Sequence, residues 1–152
     1  MNLRIVYNKC KNMKKIVVFS SLIALFVWSF TFKPEVSSAD SDGIAFQDIK
    51  FEEALKEAKS SNKLIFLDAY ASWCGPCKWM EANTFKDYKV GAFFNENFIN
   101  LKIDMEKGEG PELARRFKVT AYPTMFFINS KGEIVTKILG AKQPKPFLKA
   151  AE

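Results

Sequence analysis

The chain reads as an α/β domain with a mixed central sheet and helices on both faces. Three observations predict this. Two apolar runs, Leu64–Tyr70 and Phe98–Asp104, are separated by a stretch with helical spacing, and such a crossover makes neighbouring strands parallel. Two further runs, Thr124–Ile128 and Ile134–Leu139, flank Asn129-Ser130-Lys131-Gly132, a turn signal that makes them an antiparallel hairpin. Finally, 152 residues, 48% of them hydrophobic and with 15 Phe, supply a core for one domain of ordinary size.

The elements follow in order. Residues 1–15 carry Arg4, Lys9, Lys11, Lys14 and Lys15, and residues 16–32 form an uncharged, largely apolar run of 17. A basic flank before such a run predicts a secretory signal or a membrane anchor. Its length falls between the about 7–15 residues of a signal core and the about 20 of a spanning helix. Ser37-Ser38-Ala39 suits cleavage before Asp40, so residues 1–39 are read as leader or tether. Met13 offers an alternative start, and Cys10 reads as a spare thiol. Residues 40–50 are read as a linker, with a short edge strand at 44–49.

The domain proper is expected over 51–152. Phe51, Ala54, Leu55 and Ala58 recur at helical spacing up to Asn62. Leu64–Tyr70 is the first central strand. A helix starts near Cys74, breaks near Asp87 and resumes over 90–97. After the strand Phe98–Asp104 and a Gly-rich loop, Pro111 opens a helix through Phe117. The hairpin follows, Gly140 ends it, and residues 146–151 form a last short helix.

Charge and composition exclude several functions. Of the net charge of +6, residues 1–39 carry +5 and residues 40–152 only +1, so the domain has no nucleic-acid footprint. There is no His, which removes Ser-His and Cys-His dyads and the commonest metal ligand.

The chemistry centres on Trp73-Cys74-Gly75-Pro76-Cys77-Lys78. Pro76 suits a helix's first turn, where its missing N–H is no loss. Cys74 therefore falls at a helix N-terminus, where free N–H groups favour an anion such as a thiolate. A thiol there titrates well below the ordinary ~8.5, and the thiolate is the species that attacks disulfides. Cys77 falls about one turn in, near enough to close a small ring and less open to water. A metal site would need about two more ligands, and the domain has no third Cys. An inert bridge is the remaining alternative. Asp68 is a lone carboxylate at the end of an apolar strand, which is costly unless it reaches water or has a task.

The motif Trp-Cys-Gly-Pro-Cys-Lys resembles the active site of the thioredoxin family, together with Asp68, Lys102-Ile103-Asp104 and Tyr122-Pro123-Thr124. The resemblance spans about residues 51–140 and implies the thioredoxin fold. It implies a redox-active Cys74–Cys77 disulfide as the only prosthetic element, with no other cofactor and no metal. Cys74 would attack and Cys77 resolve. Asp68 would lie beneath the site and handle the proton of Cys77, with Lys102 facing it. Tyr122-Pro123 would be a cis-proline loop whose backbone receives substrate as an added strand. Trp73, Gly75 and Pro76 would offer substrate contacts. Tyr70 replaces a common Trp, Tyr122 is more like protein disulfide isomerases, and residues 80–97 look more like the C-terminal domain of bacterial transmembrane disulfide reductases.

These features together predict a monomeric thiol–disulfide oxidoreductase, secreted or tethered outside the inner membrane and acting on protein disulfides. Gly75-Pro76 brings no charge that would over-stabilise the thiolate, which favours a reductant. A reductant in that compartment needs a membrane electron-donor protein. Clients would be misbridged secreted proteins or apocytochrome thiols awaiting haem in cytochrome c maturation. The rivals are an oxidase or isomerase of the same fold, and a non-catalytic binding or metal-carrier module.

Overall fold

The computed structural model describes residues 43–152; the leader, Cys10, Met13 and the cleavage site lie outside the described residues. Among the described residues no helix is long and apolar enough to cross a membrane. The elements are α1 (Phe51–Ser61), β1 (Leu64–Tyr70), α2 (Gly75–Ala82), α3 (Tyr88–Asn97), β2 (Phe98–Asp104), α4 (Gly110–Arg116), β3 (Thr124–Ile128), β4 (Ile134–Leu139) and α5 (Pro144–Ala151).

The sheet order is β2-β1-β3-β4. β1 pairs with β2 in parallel, Asp68 opposite Lys102. It pairs with β3 antiparallel, Asp68 opposite Met125, and β3–β4 is the antiparallel hairpin. The expected mixed sheet and its four strand ranges are all present. Alternation along β1 sends Ile65, Leu67 and Ala69 to one face, and Phe66 and Asp68 to the other.

The two faces carry different cores. On one, α1 and α4 deliver Phe51, Ala54, Ala58 and Leu113 against Ile65, Leu67, Leu101 and Phe126. On the other, α2, α3 and α5 deliver Met80, Val90, Phe94 and Phe147 against Phe66, Met125 and Phe127. Phe66 sits at the middle of that second core. Its ring lies 4.6 Å from Phe94, 5.5 Å from Phe127 and 5.9 Å from Phe147, centre to centre. Burying each such ring contributes about 1.5–3 kcal/mol, and edge-to-face pairs add to it.

Three expectations need correction. The edge strand at 44–49 is a single parallel bridge, Gln47 to Leu101. Side-chain amides stand where ladder bonds would: Asn95 Oδ1 accepts from Ala45 N at 2.9 Å, and Asn95 Nδ2 donates to Gly43 O at 3.1 Å. A Cβ on Gly91 would run into the Gly43 backbone, so glycine is needed there to let the segment lie against α3. α3 starts two residues earlier than expected because the Asp87 carboxylate caps it, accepting from Lys89 N and Val90 N. α5 also starts two residues early, with Pro144 in its first turn.

Candidate active site

The site forms where β1 hands over to α2. After Tyr70 the chain turns, Cys74 N donating to Ala71 O at 3.0 Å. Cys74 is the N-cap of α2 and Pro76 lies in the first turn. Cys74 Sγ accepts from Cys77 N at 3.2 Å. An unpaired backbone donor of the helix start therefore points at the sulfur, the arrangement that stabilises a thiolate.

Cys74 and Cys77 are disulfide-bonded, with Cα atoms 5.3 Å apart. The expectation that Cys77 would be the less open of the two does not hold: both are buried, Cys74 at 3% and Cys77 at 5% exposure. Ala71 completes their cluster, and Tyr70 and Tyr122 pack against it. The bond from Tyr122 to Pro123 is cis. Gly75 and Pro76 are exposed, and Trp73 stands out at 67% exposure.

Asp68 belongs to a second group under the sheet's end. It is 1% exposed, and neither carboxylate oxygen has a protein hydrogen-bond partner. Burial pushes its pKa from the ordinary 3.8 up to about 7; Lys102 pulls it down and Glu81 pushes it further up. Lys102 is the cross-strand partner of Asp68, yet its ammonium does not settle on that acid. It pairs with Glu81 at 2.5 Å and lies 4.7 Å from the centre of the Tyr70 ring. Glu81 is the better partner because it is exposed, whereas Asp68 is dry.

The Cys pair, Tyr70 and Tyr122 thus come together, with the exposed Trp73 against Tyr122, and Asp68, Lys102 and Glu81 form a second, charged group. Among the described residues no group of His, Cys, Asp and Glu could hold a metal. The two sulfurs of the Cys pair can exchange with a disulfide, and Asp68 is a buried carboxyl with a pKa of about 7.

The thioredoxin-like domain family matches residues 51–152. The chain belongs to that family. It is 40% identical over 88 residues to thioredoxin H2 of Arabidopsis thaliana, covering 57% of this chain and 60% of that one. It is 36% identical over 95 residues to the thiol:disulfide interchange protein DsbD of Pasteurella multocida, covering 60% of this chain and 16% of that protein. The chain therefore spans under two thirds of both relatives. The solution structure of a candidate disulphide-isomerase from Bacteroides thetaiotaomicron superposes with a TM-score of 0.66 at 50% identity, covering 74% of this chain and 93% of that one. The fold is the thioredoxin fold, and the thioredoxin-like family works through its own redox-active cysteines.

Two residues of this thioredoxin-like site escaped the sequence reading. Glu81 lies four residues after Cys77 on α2, and that spacing places it on the same helix face. Glu106 holds Trp73, its Oε1 and Oε2 accepting from Trp73 Nε1 at 3.0 and 2.9 Å. No local signal marks Glu106, because its partner is far away in sequence.

Proposed function

We propose that the chain is a thiol–disulfide oxidoreductase that reduces protein disulfides outside the cytoplasm. The observation that carries this is the N-capping Cys74, with Cys77 N–H on its sulfur, in a site backed by a buried acid of pKa about 7. In the reduced form the Cys74 thiolate attacks one sulfur of a substrate disulfide; that bond breaks, and the leaving thiolate takes a proton. Asp68 as carboxylate accepts the Cys77 proton. The Cys77 thiolate then attacks Cys74 Sγ, closing the Cys74–Cys77 disulfide and breaking the mixed one, and the second substrate sulfur leaves as a thiolate that takes the proton held by Asp68. The substrate gains two electrons and the domain loses two.

Gly75, Pro76, Trp73, Tyr122 and Pro123 receive the substrate, and Lys102 modulates Asp68. Residues 1–39 act as leader or anchor, 40–50 as linker, and 51–152 as the exchanging domain, a monomer. Electrons return through a membrane donor protein; the match to a thiol:disulfide interchange protein supports exchange as the reaction. Insulin reduction by the full chain tests this. Cys74→Ser is expected to abolish it, and Cys77→Ser to accumulate mixed disulfides. No reduction by the wild type overturns the reading. A reporter fused after Gly43 is expected to be active only outside the cytoplasm.

The 50% identity to the candidate disulphide-isomerase favours one second reading, isomerisation. Equilibration with glutathione separates the two: a potential near ~−120 mV, at the oxidising end of the family, reverses the direction.

A further inference from the structure

The rim of the site carries charge as well as aromatic surface. Trp73 is exposed beside Cys74, and its ring meets that of Tyr122 edge to face, with centres 5.9 Å apart. Tyr122 in turn packs on the Cys74–Cys77 cluster. Glu106 grips the indole N–H with both carboxylate oxygens. Its own backbone N–H donates to Asp104 Oδ1 at 3.0 Å, fixing the loop. Asp104 is answered by Lys107 at 3.4 Å, whereas among the described residues no Lys or Arg pairs with Glu106. The phenol of Tyr122 is pushed above its ordinary pKa, by burial first and then by Glu106 and Asp104, so both carboxylates act on it.

A carboxylate offers about four lone-pair directions, and one N–H does not use them all. Glu106 therefore keeps acceptor capacity, with no Lys or Arg paired to it among the described residues, next to two aromatic rings. Such a place suits a cation: aromatic faces attract guanidinium and ammonium groups, and a carboxylate adds charge-assisted hydrogen bonds. A mere clamp for Trp73 would need an acceptor but no charge.

We propose that Trp73, Tyr122 and Glu106 form a cation-selecting subsite beside Cys74, so that preferred substrates are disulfides with an Arg or Lys next to the attacked cysteine. This rests on the proposed exchange function and names its substrate class. The planar Arg guanidinium fits better than Lys, because it stacks on rings and bonds a carboxylate in two places. An acidic residue at the same substrate position is repelled.

The test uses two disulfide-ring peptides identical except for Arg or Glu immediately before the first cysteine. The reduced full chain, freed of excess reductant, supplies both electrons in a single turnover. The second-order rate constant is expected to favour the Arg peptide by about tenfold at low salt, and the ratio to shrink in about 1 M salt, where exposed charges are screened. Glu106→Gln keeps an acceptor for the indole but removes the charge, and is expected to cut the ratio at least threefold; Glu106→Lys is expected to invert it. Equal rates for the two peptides, or a ratio unmoved by Glu106→Gln, overturn this inference alone. No reaction with either peptide overturns the exchange function and this inference with it.

Discussion

Phe66 and Asp68 leave the same face of β1, two residues apart, and meet opposite surroundings. Phe66 is enclosed by rings from α3, β3 and α5, and every contact it makes favours the folded state. Asp68 is as deeply buried, but its carboxylate oxygens find no protein partner. Charge at Asp68 is opposed by desolvation, so the fold holds it there at a cost. The same strand thus carries a residue that stabilises the domain and one whose carboxyl titrates near neutral pH.

Substitutions on that strand sharpen the contrast. Phe66→Ala is expected to cost about 3–5 kcal/mol of stability by leaving a cavity, while the folded fraction still exchanges disulfides at a rate within about twofold of wild type. Denaturant unfolding and single-turnover kinetics read the two quantities separately. A large loss of intrinsic exchange rate would join what the comparison holds apart.

Asp68→Asn is expected to act the other way. The folded pKa of Asp68 is raised from 3.8 to about 7, so with rising pH the unfolded chain loses this proton first. The contribution of Asp68 to wild-type stability is therefore fully present below about pH 4, is lost as pH rises through about 7, and then levels, an overall loss of roughly 4 kcal/mol. The variant removes that slope and overtakes the wild type above neutrality. Its resolution step slows and no longer rises with pH through 7. Guanidinium unfolding of the disulfide-bonded form at several pH values would contradict this if the wild-type slope were absent.

Glu81→Gln gives the smallest change. Removing its charge takes away a term that raises the Asp68 pKa and releases Lys102 from its present partner to face Asp68. The Asp68 titration, followed by carboxyl carbon NMR, is expected to move toward lower pH. An upward or absent shift would mean that the Glu81–Lys102 pair does not control the acid.

What could be read beforehand follows the range of each interaction. β1, β2, β3 and β4 were legible because apolar runs and turn residues are local signals. Cys74 and Cys77 were legible because Pro76 marks a helix start, and Asp68 because a lone acid at the end of an apolar strand has few innocent explanations. The edge strand misled: residues 44–49 have strand character, but Asn95 and Asn100, distant in sequence, supply amides where backbone pairing was expected. Lys102 stands opposite Asp68 as the family motif implied, but its pairing with Glu81 on another element was not legible. Glu106 was invisible, since its indole partner lies 33 positions away.

The placement of the tryptophans has a practical consequence. Trp73 and Trp79, the two within the described residues, both lie outside the core, and Trp73 immediately precedes one of the sulfurs. The interior is lit instead by phenylalanine, which is dark when indole is selectively excited. Indole emission from these two residues therefore reports on the surroundings of the sulfurs and the α2 surface rather than on the core. Far-ultraviolet dichroism follows the backbone, so changes at that surface and unfolding can be recorded as separate signals from one sample.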